Sequence, residues 1–312
     1  MINTIIISSI FLSFLTIYFV SRVFSKKNIV DKINDRSSHN TVAYRIGGIS
    51  IFISVFLLSV FYYVKGVELY DYSLLIPLAI LLLIGFYDDL YEVDFKLKFI
   101  FQIIAAKIII DNGLIVDNMH GILGIYELNR IAAQALTIFI IVAIINSINF
   151  IDGIDGLAIL IVSLFIISFE FFSMGTTSFR YISLILIASF LPLIYFNTRN
   201  DKKVFLGDSG SLFLGGIVSI YVLNILSPSY LIKPEYDINK VFFVISILFY
   251  PIIDLVRVFI LRIVKGGSPF KADKNHIHHI LNIKLKKHWQ VSLILTAITI
   301  LAIILIQIIS RK

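Results

Sequence analysis

Ten apolar blocks separated by short polar loops restrict this chain to a bundle of membrane-spanning helices. Crossing a bilayer takes about 20 apolar residues, so the shorter blocks must borrow flanking residues. Of the 312 residues only 15% are charged, whereas soluble domains carry about 25%. The blocks are Asn3–Phe24, Ile46–Lys65, Tyr72–Tyr87, Phe95–Ile110, Ile131–Ile148, Leu157–Phe172, Tyr181–Phe196, Ser211–Leu226, Val241–Val264 and Gln290–Ile309. We predict an all-α polytopic membrane protein with about ten transmembrane helices, nine or eleven being the alternatives, in a single transmembrane domain of residues 1–312.

The positions of Lys and Arg predict the orientation of this bundle. With alternate loops assigned to two faces, one face collects 19 of the 27 basic residues, the other collects seven, and Lys107 lies within a block. Cytoplasmic loops carry the excess of basic residues in membrane proteins. We therefore expect the loops after blocks one, three, five, seven and nine in the cytoplasm, and both termini outside. The external loop 111–130 is rich in glycine and partly alternating, which predicts a small hairpin.

Charge and composition exclude several classes of protein. The net charge of +7 does not indicate nucleic-acid binding, because the positive charges lie in loops that orient the helices. The absence of cysteine excludes disulfides and thiol catalysis. The first block lacks a preceding basic stretch and a following cleavage site, so we expect a retained helix and not a signal peptide.

Acidic residues and histidines collect in the loops of the predicted cytoplasmic face. They are Asp35, His39, Asp88, Asp89, Asn149, Asp152, Asp155, Asp208, His276, His278 and His279. Because the face was assigned from positive charge alone, their convergence independently indicates one site. Two carboxylates about 4 Å apart repel by about 4 kcal/mol at an effective dielectric of 20, so the cluster needs cations. Oxygen ligands without cysteine favour Mg²⁺, with Mn²⁺ as the alternative, over Zn²⁺.

Each motif by itself also has an ordinary structural interpretation. Asp88 and Asp89 are typical of a solvated helix end, and Asp152 and Asp155 are typical of turns beside glycine. Asp254 and Arg257 lie within the ninth block, where a charge is usually functional. Their spacing also fits an i,i+3 ion pair with a structural role.

Five motifs, in this order, resemble those of the polyprenyl-phosphate N-acetylhexosamine-1-phosphate transferases. They span residues 31–279 and are Arg36–His39 with Arg45–Gly48, Gly85–Asp89, Asn146–Leu157, Val204–Ser211, and Pro251–Arg257 continuing to His276–His279. The family's Asn before Phe-Leu-Gly-Asp is displaced by one residue, at Asn197. Their shared order makes the resemblance specific at the superfamily level.

The resemblance implies an active-site cleft on the cytoplasmic side of the bacterial inner membrane. It implies a UDP-sugar donor, undecaprenyl phosphate as acceptor and UMP as product. The expected reaction transfers N-acetylhexosamine-1-phosphate, GlcNAc-1-phosphate first, to begin a cell-wall or surface polysaccharide. A 6-deoxy N-acetylhexosamine donor is the alternative within the family. The expected partners are these substrates and membrane lipid, without nucleic acid, and a homodimer is compatible with this assignment.

The resemblance also implies roles for single residues. In similar enzymes the residues matching Asp208 and Asn149 hold Mg²⁺, and the residue matching Phe205 stacks on the uracil that the residue matching Asp155 helps to recognise. Asp88 matches a carboxylate proposed as a base on the lipid phosphate. The remaining expected site residues are Asp89, Asp152, His276, His278 and His279 as catalytic groups, and Arg45, Asn197, Arg257 and Arg262 as substrate-binding groups.

The expected mechanism is a direct attack of the lipid phosphate on the β-phosphorus of the UDP-sugar. A covalent two-step route through an aspartate is the competing mechanism. A transporter of anionic substrates is the rival class, but transporters place polar residues near the midplane in repeated halves. A CDP-alcohol phosphotransferase needs Ala-Arg soon after its second Asp-Gly, whereas Ala158 is followed here by Ile159.

Overall fold

The structure, a computed structural model, describes residues 1–27, 29, 43–199, 203–236, 238–268 and 275–310. Asp35, Arg36 and His39, with the motif that contains them, lie outside the described residues. Within these ranges the chain forms α1 (Ile2–Lys26), β1 (Ala43–Arg45), α2 (Gly47–Val64), α3 (Leu75–Tyr91), α4 (Phe95–Asp111), α5 (Arg130–Ile151), α6 (Leu157–Phe172), α7 (Arg180–Asn197), β2 (Lys203–Phe205), α8 (Gly207–Leu226), α9 (Lys240–Ile247), α10 (Phe249–Val264), α11 (Ile277–Leu285) and α12 (His288–Ser310).

The described residues confirm an all-α polytopic membrane protein. Seven helices are long and apolar enough to cross a membrane, and α9 with α10 adds an eighth if this bent pair is one span. The seven are α1, α2, α3 with the 3₁₀ turn before it, α5, α7, α8 and α12. Helix α6 is apolar but has only 16 residues. The count of ten spans therefore stays a prediction.

Helix α8 lies at the centre of the bundle, and almost every one of its residues is buried. Glycines on α8 let its neighbours approach closely. A Cβ atom added at Gly215 would lie 2.7 Å from the Cα atom of Ile145 on α5. One added at Gly216 would lie 2.5 Å from Cδ1 of Leu81 on α3. Helix α8 is thus held tightly between α3 and α5, whose last turns carry several of the predicted site residues.

A two-stranded parallel sheet joins the starts of α2 and α8, and it was not predicted from the sequence. Strand β1 pairs with β2 so that Arg45 lies opposite Phe205. Each strand runs directly into a helix, and the amide of Gly48 donates to the carbonyl of Leu206 at 2.9 Å. Gly48 and Gly210 are in backbone contact, which leaves no room for a side chain on either residue. The first turns of α2 and α8 therefore lie side by side.

The ninth apolar block is not one straight helix. It forms α9 and α10, which meet at Leu248 with a bend of 81°. Pro251 explains the break, because its ring removes the amide that would bond to the carbonyl of Ile247 and clashes with that carbonyl. The block is therefore bent, and its crossing of the membrane as one span stays a prediction.

Two connections differ in how well they were predicted. The hairpin expected in loop 111–130 is confirmed: Asn118 and Glu127 form an antiparallel bridge, and the amide of Met119 donates to the carbonyl of Tyr126 at 2.7 Å. Its placement outside the membrane stays a prediction. The histidine motif, expected in a loop, instead starts the short helix α11.

Candidate active site

The predicted site residues gather at one end of the bundle, which we term the site end. Here α3, α5 and α7 end and α4, α6 and α8 begin. Lys98, in the first turn of α4, joins two carboxylates: its Nζ lies 2.5 Å from Oδ2 of Asp88 and 2.7 Å from Oδ2 of Asp208. Nδ2 of Asn149 donates to the other oxygen of Asp208 at 3.1 Å. Four helices thus bring Asp88, Asn149 and Asp208 together around one ammonium group.

Asp88 has a second contact that fixes the turn after α3. Its Oδ1 accepts a hydrogen bond from the amide of Val93 at 2.6 Å. The chain reverses there through Glu92, which adopts a left-handed conformation with φ of 53°. One carboxylate oxygen of Asp88 is therefore structural, while the other faces Lys98 and the cluster.

Asp89, the next residue, is oriented quite differently. Its Oδ1 accepts from the amide of Asp208 at 2.9 Å, and its Oδ2 accepts from the amide of Ser209 at 3.0 Å. The first amides of a helix have no partner within the helix, and a carboxylate there also interacts favourably with the helix dipole. Arg45 lies 3.9 Å from Oδ1, and the side chain of Asp89 is only 2% exposed. Both carboxylate oxygens of Asp89 therefore accept hydrogen bonds from the first turn of α8.

Asp152 follows the last turn of α5 and lies near Asp89 and Asp208. Burial and then the negative charges of Asp208 and Asp89 raise the pKa of the Asp152 carboxyl well above its usual range, although the positive charge of Arg45 opposes this. Asp88, Asp89, Asp152 and Asp208 form what we term the acidic cluster. A cation close to this cluster would favour the ionised form of Asp152.

Asp155 lies beside the acidic cluster in a second group of charges. Its Oδ2 accepts from Nζ of Lys203 at 2.5 Å and lies 2.9 Å from Nδ1 of His288. Burial acts to raise the pKa of Asp155, but the hydrogen bonds and charges of His288 and Lys203 outweigh it and leave that pKa below its usual value. Nζ of Lys203 lies 5.5 Å from the ring centroid of Phe205. Asp155 and Phe205 thus share one neighbouring cation.

The motif histidines pack against α10 through a buried carboxylate. Asp254 accepts from Nδ1 of His276 at 2.7 Å, from the amide of Ile277 at 3.0 Å and from Arg257 at 2.9 Å. Arg257 also donates to the carbonyl of Asn275. We term residues 275–279 the histidine segment. Its first three residues are therefore all tied to Asp254 or Arg257.

His278 and His279 bring the histidine segment into contact with the turn after Asp152. Nδ1 of His278 lies 2.9 Å from the hydroxyl of Tyr250. Burial, followed by the charges of His279 and His276, lowers the pKa of His278 to about 3, so its ring is neutral at physiological pH. A Cβ atom added at Gly153 would lie 3.0 Å from Nε2 of His278 and 3.1 Å from Cε1 of His279. The histidine segment thus packs directly on the turn after Asp152.

Two of the expected substrate-binding residues make contacts with the protein itself. Nδ2 of Asn197 donates to the carbonyl of Val204 at 2.8 Å, which supports β2. Arg262 is mostly buried, with its guanidinium 5.9 Å from the ring centroid of Phe150. Arg45 is the more accessible, with a side chain that is 40% exposed. The substrate-binding roles of these residues stay predictions.

Sequence reasoning missed Lys98 and His288 as site residues. Lys98 entered the predictions only as part of the basic bias of one face, and His288 entered none of them. Lys98 carried a usable signal, because it lies one helical turn into an apolar block that directly follows the Asp88–Asp89 pair. His288 carried none, since nothing in the sequence relates the start of α12 to Asp155.

The donor groups fit Mg²⁺ when the substrate supplies part of its shell. In the described part of the chain, no three His, Cys, Asp or Glu side chains are arranged to hold a metal by themselves. Mg²⁺ in phosphoryl-transfer sites usually takes one or two carboxylates and completes its shell with phosphates and water. Asp88 and Asp208 each place an oxygen within 2.7 Å of one positive centre, Nζ of Lys98. Hard oxygens around a positive centre are the chemistry that Mg²⁺ requires.

Comparison with known proteins gives a consistent assignment. Residues 71–226 match the sequence model of glycosyl transferase family 4. A Bacillus subtilis protein named "Probable undecaprenyl-phosphate N-acetylglucosaminyl 1-phosphate transferase" is 33% identical over 273 residues, which cover 84% of this chain and 72% of that protein.

Two further relatives carry the name undecaprenyl-phosphate alpha-N-acetylglucosaminyl 1-phosphate transferase. The Haemophilus influenzae protein is 33% identical over 86% of this chain and 76% of its own length. The Escherichia coli K12 protein is 29% identical over 90% of this chain and 76% of its own length. The matched region contains both halves of the acidic cluster, Asp88–Asp89 and Asp208. The chain belongs to glycosyl transferase family 4.

Proposed function

We propose that this protein transfers GlcNAc-1-phosphate from UDP-GlcNAc to undecaprenyl phosphate, with release of UMP. The observation that carries the proposal is the convergence of Asp88, Asn149 and Asp208 from separate helices around Lys98. The names of the relatives support the same lipid acceptor and the same sugar. This reaction begins the assembly of a cell-wall or surface polysaccharide.

The donor fits the side of the site formed by β2 and the turn after α5. The ring of Phe205 offers a face for stacking on uracil, beside the Asp155 carboxylate and Lys203. Arg45, opposite Phe205 in the sheet, is exposed enough to meet the diphosphate. Nucleoside and diphosphate would thus lie along β1 and β2, with the sugar toward the histidine segment.

Asp208 and Asn149 would hold Mg²⁺, or Mn²⁺ in its place. Bound there, the ion supplies neutralisation of the charge on the donor diphosphate. Lys98, which pairs with Asp208 in this structure, would then be available to a second anion. Its ammonium is free to turn toward the phosphate of the lipid acceptor, which arrives next to Asp88.

The acceptor lipid fits the outer surface of α10. Polar residues of this helix, Asp254 and Arg262, are buried, whereas Val256, Phe259 and Ile260 are exposed. Asp254 binds the histidine segment on the buried face of α10, so this helix has an apolar outer surface on one side and the site on the other. A polyprenyl chain along this face would bring its phosphate to the site end of the bundle.

The chemical step needs positioning and neutralisation more than covalent participation by the protein. An oxygen of the lipid phosphate attacks the β-phosphorus of the donor, and the bond to UMP breaks. Asp88 would accept a proton if the lipid phosphate arrives protonated. That phosphate has a second pKa near 6, so at pH 7 a base is only partly needed.

We place the site end in the cytoplasm of a bacterial inner membrane, with about ten spans and both termini outside. The basic bias of the sequence supports this orientation. The chain has no cysteine, so single cysteines report topology without background. A cysteine at Lys96 should react with a membrane-impermeant maleimide only in inverted vesicles, and one at Tyr126 only in intact cells. The reverse pattern would overturn the orientation.

The reaction is tested with purified protein in lipid nanodiscs, undecaprenyl phosphate, Mg²⁺ and radiolabelled UDP-sugars. The expected result is a butanol-extractable labelled lipid and an equal amount of UMP, formed with UDP-GlcNAc and abolished by EDTA. Parallel assays with 6-deoxy UDP-N-acetylhexosamines test the alternative donor. Asp208→Ala is the matched inactive control. Uptake of label into proteoliposomes without any lipid product would instead favour a transporter.

A further inference from the structure

The start of α11 rests on a carboxylate that belongs to another helix. Asp254, in the middle of α10, is only 1% exposed. Its Oδ1 accepts from the amide of Ile277, the first residue of α11, and from the guanidinium of Arg257. Its Oδ2 faces Nδ1 of His276. One buried side chain therefore contacts both the helix start and the histidine that precedes it.

These partners define which nitrogen of His276 carries the proton. A carboxylate that binds an arginine and a backbone amide acts only as an acceptor, so Nδ1 of His276 is the donor in its hydrogen bond with Asp254. The other ring nitrogen, Nε2, is then an acceptor in the neutral ring. In histidine sites generally, the hydrogen bond at one nitrogen sets the role of the other.

Arg257 fixes one more residue of the histidine segment, Asn275. It donates to the carbonyl of Asn275 as well as to Asp254. Three consecutive residues, Asn275, His276 and Ile277, are thereby held by a carbonyl, a ring nitrogen and an amide. The histidine segment is otherwise a short stretch in which only His276 and His278 are buried. The conformation of these three residues thus depends on two side chains of α10.

We infer that Asp254 is a positioning residue, which fixes the conformation of the histidine segment and the tautomer of His276. The inference rests on the proposed function, in which His276 meets the donor. With Nδ1 protonated, His276 presents Nε2 as an acceptor for a hydroxyl or amide of the donor sugar. Asp254 itself is enclosed by protein groups, so it would act only through the histidine segment.

The same ion pair would also suit a merely structural role within the bundle, and Asp254→Asn distinguishes the two. Asparagine has nearly the same shape but offers an N–H₂ group to Nδ1 of His276, which then has to accept, so the proton moves to Nε2. In serine proteases the corresponding change keeps the geometry and lowers kcat about 10⁴-fold because the imidazole adopts the wrong tautomer. A structural carboxylate would instead show its loss in thermal stability.

The kinetic test uses Asp254→Asn in nanodiscs, with Glu170→Gln as the matched control. Glu170 accepts hydroxyl hydrogen bonds from Thr177 and Ser183 at the other end of the bundle. We expect Asp254→Asn to lower kcat by about 10²-fold or more, with KM for UDP-GlcNAc within about threefold and a nearly unchanged Tm. Glu170→Gln should keep its kcat. The double variant Asp254→Asn/His276→Ala should be no slower than His276→Ala alone.

Wild-type kcat in Asp254→Asn, additive losses in the double variant, or a kcat loss that follows unfolding would each overturn the inference. A second readout does not depend on turnover: nitrogen NMR of protein labelled in histidine. His276 should be protonated at Nδ1 in the wild type and at Nε2 in Asp254→Asn. The same tautomer in both proteins would also overturn the inference. If the wild type forms no lipid product, the proposed function fails, while the NMR comparison still decides the role of Asp254.

Discussion

The starts of α8 and α11 are built on the same plan but in different surroundings. Each helix start donates amide hydrogen bonds to an aspartate of another helix. Asp89 accepts from two amides of α8, and Asp254 accepts from one amide of α11 and from His276. Helix α8 is buried along almost its whole length, whereas His278 is the one buried residue within α11. The two sites therefore differ in how much of the fold depends on the carboxylate.

Because of this difference, we expect Asp89 to contribute mainly to the stability of the fold and Asp254 mainly to the positioning of the histidine segment. At α8, the capped amides lie in the tightly packed centre, so a lost partner leaves a buried amide without a hydrogen bond. At α11, the carboxylate mainly orders a short segment at the edge of the bundle. We therefore expect a change at Asp89 to reduce the stability of the whole protein, and a change at Asp254 to reduce turnover alone.

The largest effect is expected at Asp208, which lies in the first turn of α8 and whose amide donates to Asp89. Asp208→Ala removes an oxygen ligand of the proposed Mg²⁺ site and should lower kcat by about 10³-fold or more, in line with the removal of a major electrostatic contact. Asp88→Asn should cost less, because the acceptor phosphate is largely ionised at pH 7. Turnover of purified protein in excess Mg²⁺ measures both. Similar residual activity in the two variants would contradict this ranking.

The next effect sharpens the comparison of the two caps. Asp89→Asn keeps one acceptor for the amides of Asp208 and Ser209 and loses the other, together with the negative charge. Loss of a helix cap costs about 0.5–2 kcal/mol, so Tm should fall by several degrees while activity falls about 10-fold or more. Differential scanning fluorimetry beside the activity assay tests this. An unchanged Tm with lost activity would mean that Asp89 acts on the substrate.

A smaller effect is expected at Gly153, where the histidine segment packs against the turn after Asp152. In Gly153→Ala the new methyl group would lie 3.0 Å from Nε2 of His278, so the histidine rings must shift. KM for the donor should rise about 10-fold, with little change in Tm, because the proposed complex places the donor sugar against the histidine segment and a lost binding contact raises KM. Gly175→Ala is the control, because no atom lies within 4 Å of its added Cβ. Equal KM values for the two variants would show that this contact is unimportant.

The smallest effect concerns stability and pH. The raised pKa of Asp152 means that the folded protein favours the protonated form, so wild-type stability falls as pH rises from about 4, the unfolded pKa, toward the folded pKa. Asp152→Asn lacks this loss. Without Mg²⁺, its Tm should exceed that of the wild type by about 1–3 °C, with a gap that widens as the pH rises above about 4, the unfolded pKa. A gap that is constant with pH would argue against a raised pKa.

The sequence predicted the meeting of Asp88, Asn149 and Asp208 because each follows or begins an apolar block on the face richest in positive charge. Lys98 and His288 were not predicted as site residues, because a single basic residue near a helix start is equally typical of one that only orients the helix in the membrane. Only tertiary packing shows that each lies against a carboxylate from a distant part of the chain.

Prolines show a second limit of sequence reasoning. Pro251 coincides with the break between α9 and α10, but Pro192 lies inside α7, which continues as one helix through Asn197. Whether a proline breaks a helix depends on how neighbouring helices compensate for the lost hydrogen bond. For Asp254, the sequence left open an intramembrane functional charge or an i,i+3 pair. The structure shows the i,i+3 pair with Arg257, together with contacts to His276 and Ile277.

The pairing of β1 with β2 also has a consequence for biosynthesis. During synthesis, Ala43 cannot form its sheet contact until its partner, Lys203, has been made. At about 5–20 residues per second, translation of the intervening chain takes roughly 8–30 s. From the synthesis of Asp89 until that of α8, the nascent chain carries Arg45 and the Asp88–Asp89 pair without the α8 amides that Asp89 binds. Assembly of the candidate active site is thus deferred until the second half of the polypeptide leaves the translocon.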